Sequence, residues 1–187
     1  MLFRADMIIA MNSQADRIID EALVIEAQAG SAVAMDALVR RWQRRLYVYA
    51  RRWLGREDKA WDACQEAWIG IVRGLRRLDD PGTFAAWAYR IVTNKCKDRL
   101  SRDARDKWLS DELAANVRQD ARGDAADRLE LNEAISLLPG PMQAVLILRY
   151  FEGFALGEMA DILGVPEGTV KSRLARARAE LKHILEK

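Results

Sequence analysis

Histidine is almost missing from this chain of 187 residues; His183, near the C-terminal end, is the sole imidazole and reads as a surface helix residue. With it goes much of the usual equipment for general acid–base catalysis and metal binding. The two cysteines, Cys64 and Cys96, stand singly inside helical patterns with no CxxC spacing and no neighbouring histidine. Neither a disulfide framework nor a zinc site is expected from them, and both read as small apolar groups in a reducing compartment. No glycine-rich phosphate loop follows a strand pattern, and no carboxylate cluster has metal-site spacing, so no catalytic residue, metal or cofactor is expected. No run approaches the roughly 20 apolar residues that span a bilayer. The apolar start is broken by Arg4 and Asp6, which argues against a signal peptide and for a cytoplasmic chain.

What is present is helical periodicity, in a composition that is 50% apolar and 31% charged with a formal net charge of only +2. The total hides local crowding of arginine and lysine, and it is the crowding that bears on partners. The most informative stretch runs from Glu152 to Leu181. Leu156, Met159 and Leu163 recur at helical spacing, Gly164 interrupts, and Pro166-Glu167-Gly168-Thr169 restarts a helix with Val170, Leu174, Ala177 and Leu181 on one face. Ala160 is small where a second helix must cross, and Gly164 occupies the turn position at which a left-handed backbone costs least. This pattern predicts a helix-turn-helix. Winding the second helix at about 100° per residue leaves Ser172, Ala175 and Arg176 outward, flanked by Lys171, Arg173 and Arg178, a short-chained basic face suited to the major groove.

Upstream, Met35, Leu38, Trp42, Leu46, Tyr49 and Trp53 make one stripe of a helix over Ser31–Leu54, stopped by Gly55. Arg40, Arg41, Arg44, Arg45, Arg51 and Arg52 cover much of the rest, a basic face that solvation alone accounts for as well as a partner does. A second helix is expected over Glu57–Leu78, burying Trp61, Cys64, Trp68, Ile71, Val72, Leu75 and Leu78. Its Asp62, Gln65, Glu66 and Ile69 form a strip that either serves the helix dipole or docks another protein. Asp79-Asp80-Pro81-Gly82-Thr83 is a strong turn signal. A third helix, Phe84–Ser101, turns Ala85, Ala88, Tyr89, Val92, Cys96 and Leu100 inward and Trp87, Arg90, Asn94, Lys97 and Asp98 outward. Trp87 beside Arg90 and Asn94 suits either stacking on an unpaired base or packing against the preceding helices. Lys95, Lys97, Arg99, Arg102, Arg105 and Lys107 extend the positive charge, as phosphate contact would require. From Asp103 to Asp127 the apolar period fades into a linker composition, with Trp108 and Leu109 as a local anchor. Helices are expected again over Ala125–Leu138 and from Pro141 onward. The fold class is thus all-α, two small helical domains joined by a flexible linker, the second a helix-turn-helix.

Taken together and in order, these motifs resemble the bacterial RNA polymerase sigma factors of the extracytoplasmic-function group. The matching residues are Asp62 with Gln65-Glu66, Phe84 with Trp87, Tyr89-Arg90-Ile91, Asn94 and Asp98, Leu138-Pro139, Glu152-Gly153, Glu158-Met159-Ala160, Leu163-Gly164, and Gly168-Thr169-Val170-Lys171-Ser172-Arg173-Leu174 with Arg176-Ala177. The resemblance implies an N-terminal extension (1–19), a sigma region 2 domain (20–105) that holds core polymerase and melts the −10 element, a linker (106–124), and a region 4 domain (125–187) that reads the −35 element. It implies clamp contacts from Asp62, Gln65, Glu66 and Ile69. It places Asp80, Thr83, Trp87, Arg90, Asn94 and Lys95 at the −10 element, and Thr169, Lys171, Ser172, Arg173 and Arg176 at the −35 element. The partners implied are the beta and beta-prime subunits of core RNA polymerase, promoter DNA and an anti-sigma factor. Trp61 stands where the group often has a polar residue, and Ala175 where it often has a larger one. Three other readings remain at this point: a stand-alone helix-turn-helix regulator, an enzyme acting on nucleic acid, and a structural helical adaptor.

Overall fold

The structure, a computed structural model, describes residues 3–109, 131 and 133–186. Among them the regular elements are all helical. Helix α1 (Phe3–Gln28) is followed by α2 (Ala32–Leu54), then α3 (Glu57–Gly74), which tightens into a 3-10 turn at Leu75–Arg77. A second 3-10 turn, Pro81–Thr83, leads into α4 (Phe84–Leu109). Beyond helical residues 133–136 come α5 (Gly140–Leu146), a wide π-helical turn (Ile147–Phe151), α6 (Leu156–Leu163) and α7 (Glu167–Leu185). The linker expected over 106–124 is helical as far as Leu109 and otherwise lies outside the described residues. So do residues 125–130 of the helix expected from Ala125.

Helix α2 is the spine of the N-terminal half. The Ser31 hydroxyl oxygen accepts the Ala34 N–H at 3.2 Å to start it, and Gly55 ends it in the left-handed region at φ 69°. Leu38, Trp42, Leu46, Tyr49 and Trp53 of the expected stripe are buried between α3 and α4. The inner faces of those two helices are narrower than periodicity suggested. Trp61, Val72 and Leu100 were expected inside and are 40%, 51% and 38% exposed. Helices α2 and α4 cover only the Ala60, Ala63, Cys64, Ala67 and Ile71 side of α3, and Trp61 is left to pack its ring on Tyr47 at 5.0 Å.

The N-terminal extension contains a helix that apolar periodicity did not reveal. Helix α1 crosses the boundary drawn at residue 19, buries Val24 and Ala27 in the core, and engages α2 through polar groups as well. Asp20, only 7% exposed, accepts the Trp42 indole N–H at 2.9 Å and the Arg41 Nε–H at 2.7 Å, while Asp16 takes a further Arg41 N–H. Both donors meet the same oxygen, Oδ1, so hydrogen bonds within the protein replace the hydration that oxygen loses on burial.

The buried residues of both halves form one contiguous cluster. The π-helical turn ends with the Glu152 N–H on the Ile147 carbonyl at 3.0 Å. It delivers the Glu152 carboxylate to Arg45 of α2 at 2.7 Å and the Phe154 ring to Tyr89 of α4, centroids 5.6 Å apart. Lys97 of α4 donates to the Leu163 carbonyl at the end of α6. Gly140 lies so close to α2 that a Cβ there would sit 2.9 Å from the Trp53 carbonyl oxygen.

That last contact predicts that Gly140→Ala lowers stability by roughly 1–3 kcal/mol through overpacking. Gly157→Ala, in a helical position with nothing within 4 Å, leaves the thermal midpoint unchanged or slightly raised. Paired thermal melts followed by circular dichroism distinguish the two.

Candidate nucleic-acid interface

The C-terminal surface is built around the turn between α6 and α7. Helix α6 begins with the Glu158 carboxylate accepting the Ala155 N–H at 2.7 Å. It ends at Gly164, whose φ of 62° and ψ of 43° allow its N–H to reach the Ala160 carbonyl. A side chain at that position meets the steric penalty of the left-handed region. Pro166 opens α7, its carbonyl accepting from Thr169 at 2.9 Å and Val170 at 3.1 Å. Val170, Leu174 and Ala177 are buried and Leu181 packs partly against the core, as the spacing predicted. Thr169, Ser172, Arg173 and Arg176 consequently share one face at i, i+3, i+4 and i+7, with Ser172 and Arg176 fully outward and Thr169 and Arg173 half-buried. Lys171 lies at the flank, paired at the surface with Glu167 at 2.8 Å. An exposed pair of this kind adds little stability and leaves the ammonium free to exchange partners.

In the N-terminal half the candidate residues separate into groups. Trp87, Arg90 and Asn94 fall on one side of α4, Arg90 and Asn94 exposed. The Trp87 indole does not stand free. It lies over Gly74 at the end of α3, where a Cβ would come within 2.9 Å of Cζ2, and beside Phe84 with centroids 6.2 Å apart. Asp80 and Thr83 are exposed in a preset turn: the Asp80 carboxylate accepts the Gly82 N–H at 2.9 Å, and its carbonyl accepts both the Thr83 N–H at 3.0 Å and the Thr83 hydroxyl at 2.7 Å.

Lys95 points elsewhere. Its ammonium sits 3.4 Å from Glu66, and Arg99 bridges Asp62 at 3.2 Å and Glu66 at 3.4 Å. Asp62 and Glu66 are therefore partly neutralised from α4, while Gln65 and Ile69, the latter 52% exposed, stand clear. The sequence marks Arg99 only as one member of a basic run, because such a run on one helix does not say which members meet carboxylates on another. Lys95, Lys97 and Arg99, grouped in the sequence as phosphate ligands, are all engaged within the protein. The arginines of α2 behave similarly. Arg41 and Arg45 are held by acidic partners, with Arg45 also 4.5 Å from the Trp42 ring centroid. Arg52 stands 5.4 Å from the Phe151 ring.

These two surfaces match two family models in chain order, Sigma-70 region 2 over residues 38–106 and Sigma-70 region 4 over 128–181. The protein is similar to the ECF RNA polymerase sigma factor SigM of Mycobacterium tuberculosis, at 34% identity over 89% of this chain and 84% of that one. This chain belongs to the extracytoplasmic-function sigma factors. SigW of Bacillus subtilis is 30% identical over 86% of this chain and 93% of its own length. Among solved structures, the fold is similar to the sigma factor RpoE from Bartonella quintana in complex with the anti-sigma factor NepR, with a TM-score of 0.68 at 23% identity, covering 81% of this chain and 96% of that one. As a sigma factor the protein works in transcription initiation, with core RNA polymerase and promoter DNA as partners. The ordered match to both regions does not favour a stand-alone regulator. Among the described residues no helix is long and apolar enough to cross a membrane, and no three metal-ligating side chains cluster.

Both thiols of this sigma factor lie inside the region 2 match. Burial pushes Cys64 up to about 12, and burial with the neighbouring Cys64 does the same to Cys96. The reactive thiolate is scarce at neutral pH when the value is raised, so both thiols are expected to be inert in the native protein. Alkylation by iodoacetamide at pH 8 should run at least about a hundredfold slower than after denaturation. Fast labelling of the native protein would show an opening of the α3–α4 core.

Proposed function

We propose that the two surfaces divide the work of promoter recognition between them. Thr169, Lys171, Ser172, Arg173 and Arg176 meet the −35 element from the major groove, Arg176 and Ser172 nearest the bases or phosphates. Asp80 and Thr83, with Trp87, Arg90 and Asn94 behind them, meet the −10 element where strands part. Lys95 contributes from the α3 side, and Asp62, Gln65, Glu66 and Ile69 dock on the polymerase clamp. The observation that carries this reading is the outward basic face of α7, mounted on a glycine turn whose buried side is fully packed.

The chain works without turnover of its own. Holding an unstacked base in a pocket offsets an opening cost of a few kcal/mol. The preset Asp79–Thr83 turn supports that role because its shape is fixed by its own hydrogen bonds before any base arrives. Such a task belongs in the cytoplasm with the polymerase. The packing of the two halves supports a further part of the proposal: they must separate to read two distant elements. The residues between Leu109 and Leu131 can reach roughly 70 Å when extended, enough for that separation. A protein that holds the halves together, an anti-sigma factor, would keep the chain idle.

Transcription by purified core polymerase on a randomised promoter library, with and without this protein, tests the reading. Starts sharing −10 and −35 elements are expected only when the protein is present. Binding of duplex DNA by the protein alone, with no new starts, would instead favour a free regulator. On the selected promoter, Arg176→Ala is expected to cost roughly 1–3 kcal/mol of binding and to relax selection in the −35 element alone.

A further inference from the structure

Gln28, in the last turn of α1, lies outside every surface described so far, yet its side chain makes two long-range hydrogen bonds. Nε2 donates to the Leu75 carbonyl at 2.9 Å and to the Leu78 carbonyl at 2.8 Å, using both amide hydrogens on the two ends of one turn. Those carbonyls belong to the end of α3, where a helix leaves acceptors without partners of its own. The Leu78 N–H already closes on the Leu75 carbonyl at 3.1 Å, so the amide locks a turn that the backbone has formed. The next residue is Asp79, the first of the loop assigned to the −10 element. Two helical turns earlier on α1, the Glu21 carboxylate lies beside the same loop, 4.0 Å from where a Gly82 Cβ would stand. Helix α1 packs along Pro81–Thr83.

We propose that Gln28 is a positioning residue for the −10 loop. By tying the Leu75 and Leu78 carbonyls to α1 it fixes the direction in which the chain leaves α3, and so the place where Asp80 and Thr83 present their polar groups. The loop's own hydrogen bonds set its shape, and Gln28 sets its orientation. Without the amide, the turn swings about the end of α3, and a captured base must bear the ordering cost of the loop as well as its own unstacking. The role requires a neutral or cationic double donor. A carboxylate in its place faces two carbonyl oxygens with acceptors only, and a thioether of the same length offers nothing to either. This inference rests on the reading that the Asp79–Thr83 loop captures a base.

The test uses the full-length chain with core polymerase on a promoter selected from the library, with 2-aminopurine at the −10 position that unstacks. Gln28→Met and Gln28→Glu are expected to slow the rise in 2-aminopurine fluorescence by about fivefold or more. Affinity for core polymerase and selection of the −35 element should stay unchanged. Gln28→Lys, which keeps donors on a stem one atom longer, should recover most of the rate. Asp80→Ala reports on the loop itself. If Asp80→Ala abolishes the signal while Gln28→Met leaves it intact, the positioning role is overturned and the loop reading stands. If both variants open DNA as the parent does, both are overturned. If Gln28→Met weakens polymerase affinity and thermal stability in the same proportion as opening, Gln28 is a structural residue only, and the positioning role is again overturned.

Discussion

Trp42 is the point at which the parts of this sigma factor meet. Its indole is almost fully buried, and a buried N–H without an acceptor costs about as much as a lost hydrogen bond. Asp20 of α1 supplies the acceptor, which brings a carboxylate into the interior and obliges Arg41 to accompany it. The rings of Phe84 and Tyr89 stand roughly perpendicular to Trp42, with centroids 5.5 and 6.1 Å away, so the start of α4 is set by the same side chain. Arg45 lies over the Trp42 ring and carries the chain of contacts onward to Glu152. Helix α1, α4 and the C-terminal half are thus oriented by one residue on α2.

Much of this arrangement was legible in the sequence, where local spacing determines the answer. The buried stripe of α2 from Leu38 to Trp53 and the turn at Gly164 follow from periodicity and from one backbone conformation, and neither depends on distant partners. The exposed positions of Trp61, Val72 and Leu100 were not legible, because a helical period gives the direction of a side chain and not the width of the face that a neighbour covers. Helix α1 escaped notice for a related reason. Its buried apolar residues are few, Val24 and Ala27 with Leu23 beside them, and much of its anchoring comes from Asp16, Asp20 and Gln28, polar residues that an apolar pattern passes over. Charge was the least readable feature. Arg41, Arg45, Lys95, Lys97 and Arg99 looked alike as a solvated or phosphate-binding population, and their carboxylate and carbonyl partners lie on other helices.

For the candidate surfaces this has a physical consequence. The basic residues left free of acidic or carbonyl partners by these networks include Arg90 on α4 and Arg176 on α7, beside the uncharged Asn94 and Ser172. Of the cations engaged within the protein, Arg45 and Lys97 link the two halves, to Glu152 and to the Leu163 carbonyl. Glu152 docks the C-terminal half on Arg45 of α2 and Phe154 docks it on the Tyr89 side of α4, away from Arg90 and Asn94. The docked arrangement therefore leaves Arg90 and Asn94 on α4 and Ser172 and Arg176 on α7 exposed while fixing the distance between the two faces.

Opening and −35 reading are proposed to reside on separate faces of one chain. Permanganate reactivity of thymines in the −10 element, measured on a selected promoter with core polymerase, tests this most directly when combined with protection of the −35 element in the same reaction. With the unaltered protein, both signals should appear. With Asn94→Ala, protection at −35 should persist while thymine reactivity falls. Loss of both signals together, or retention of both, would contradict a division of labour between α4 and α7.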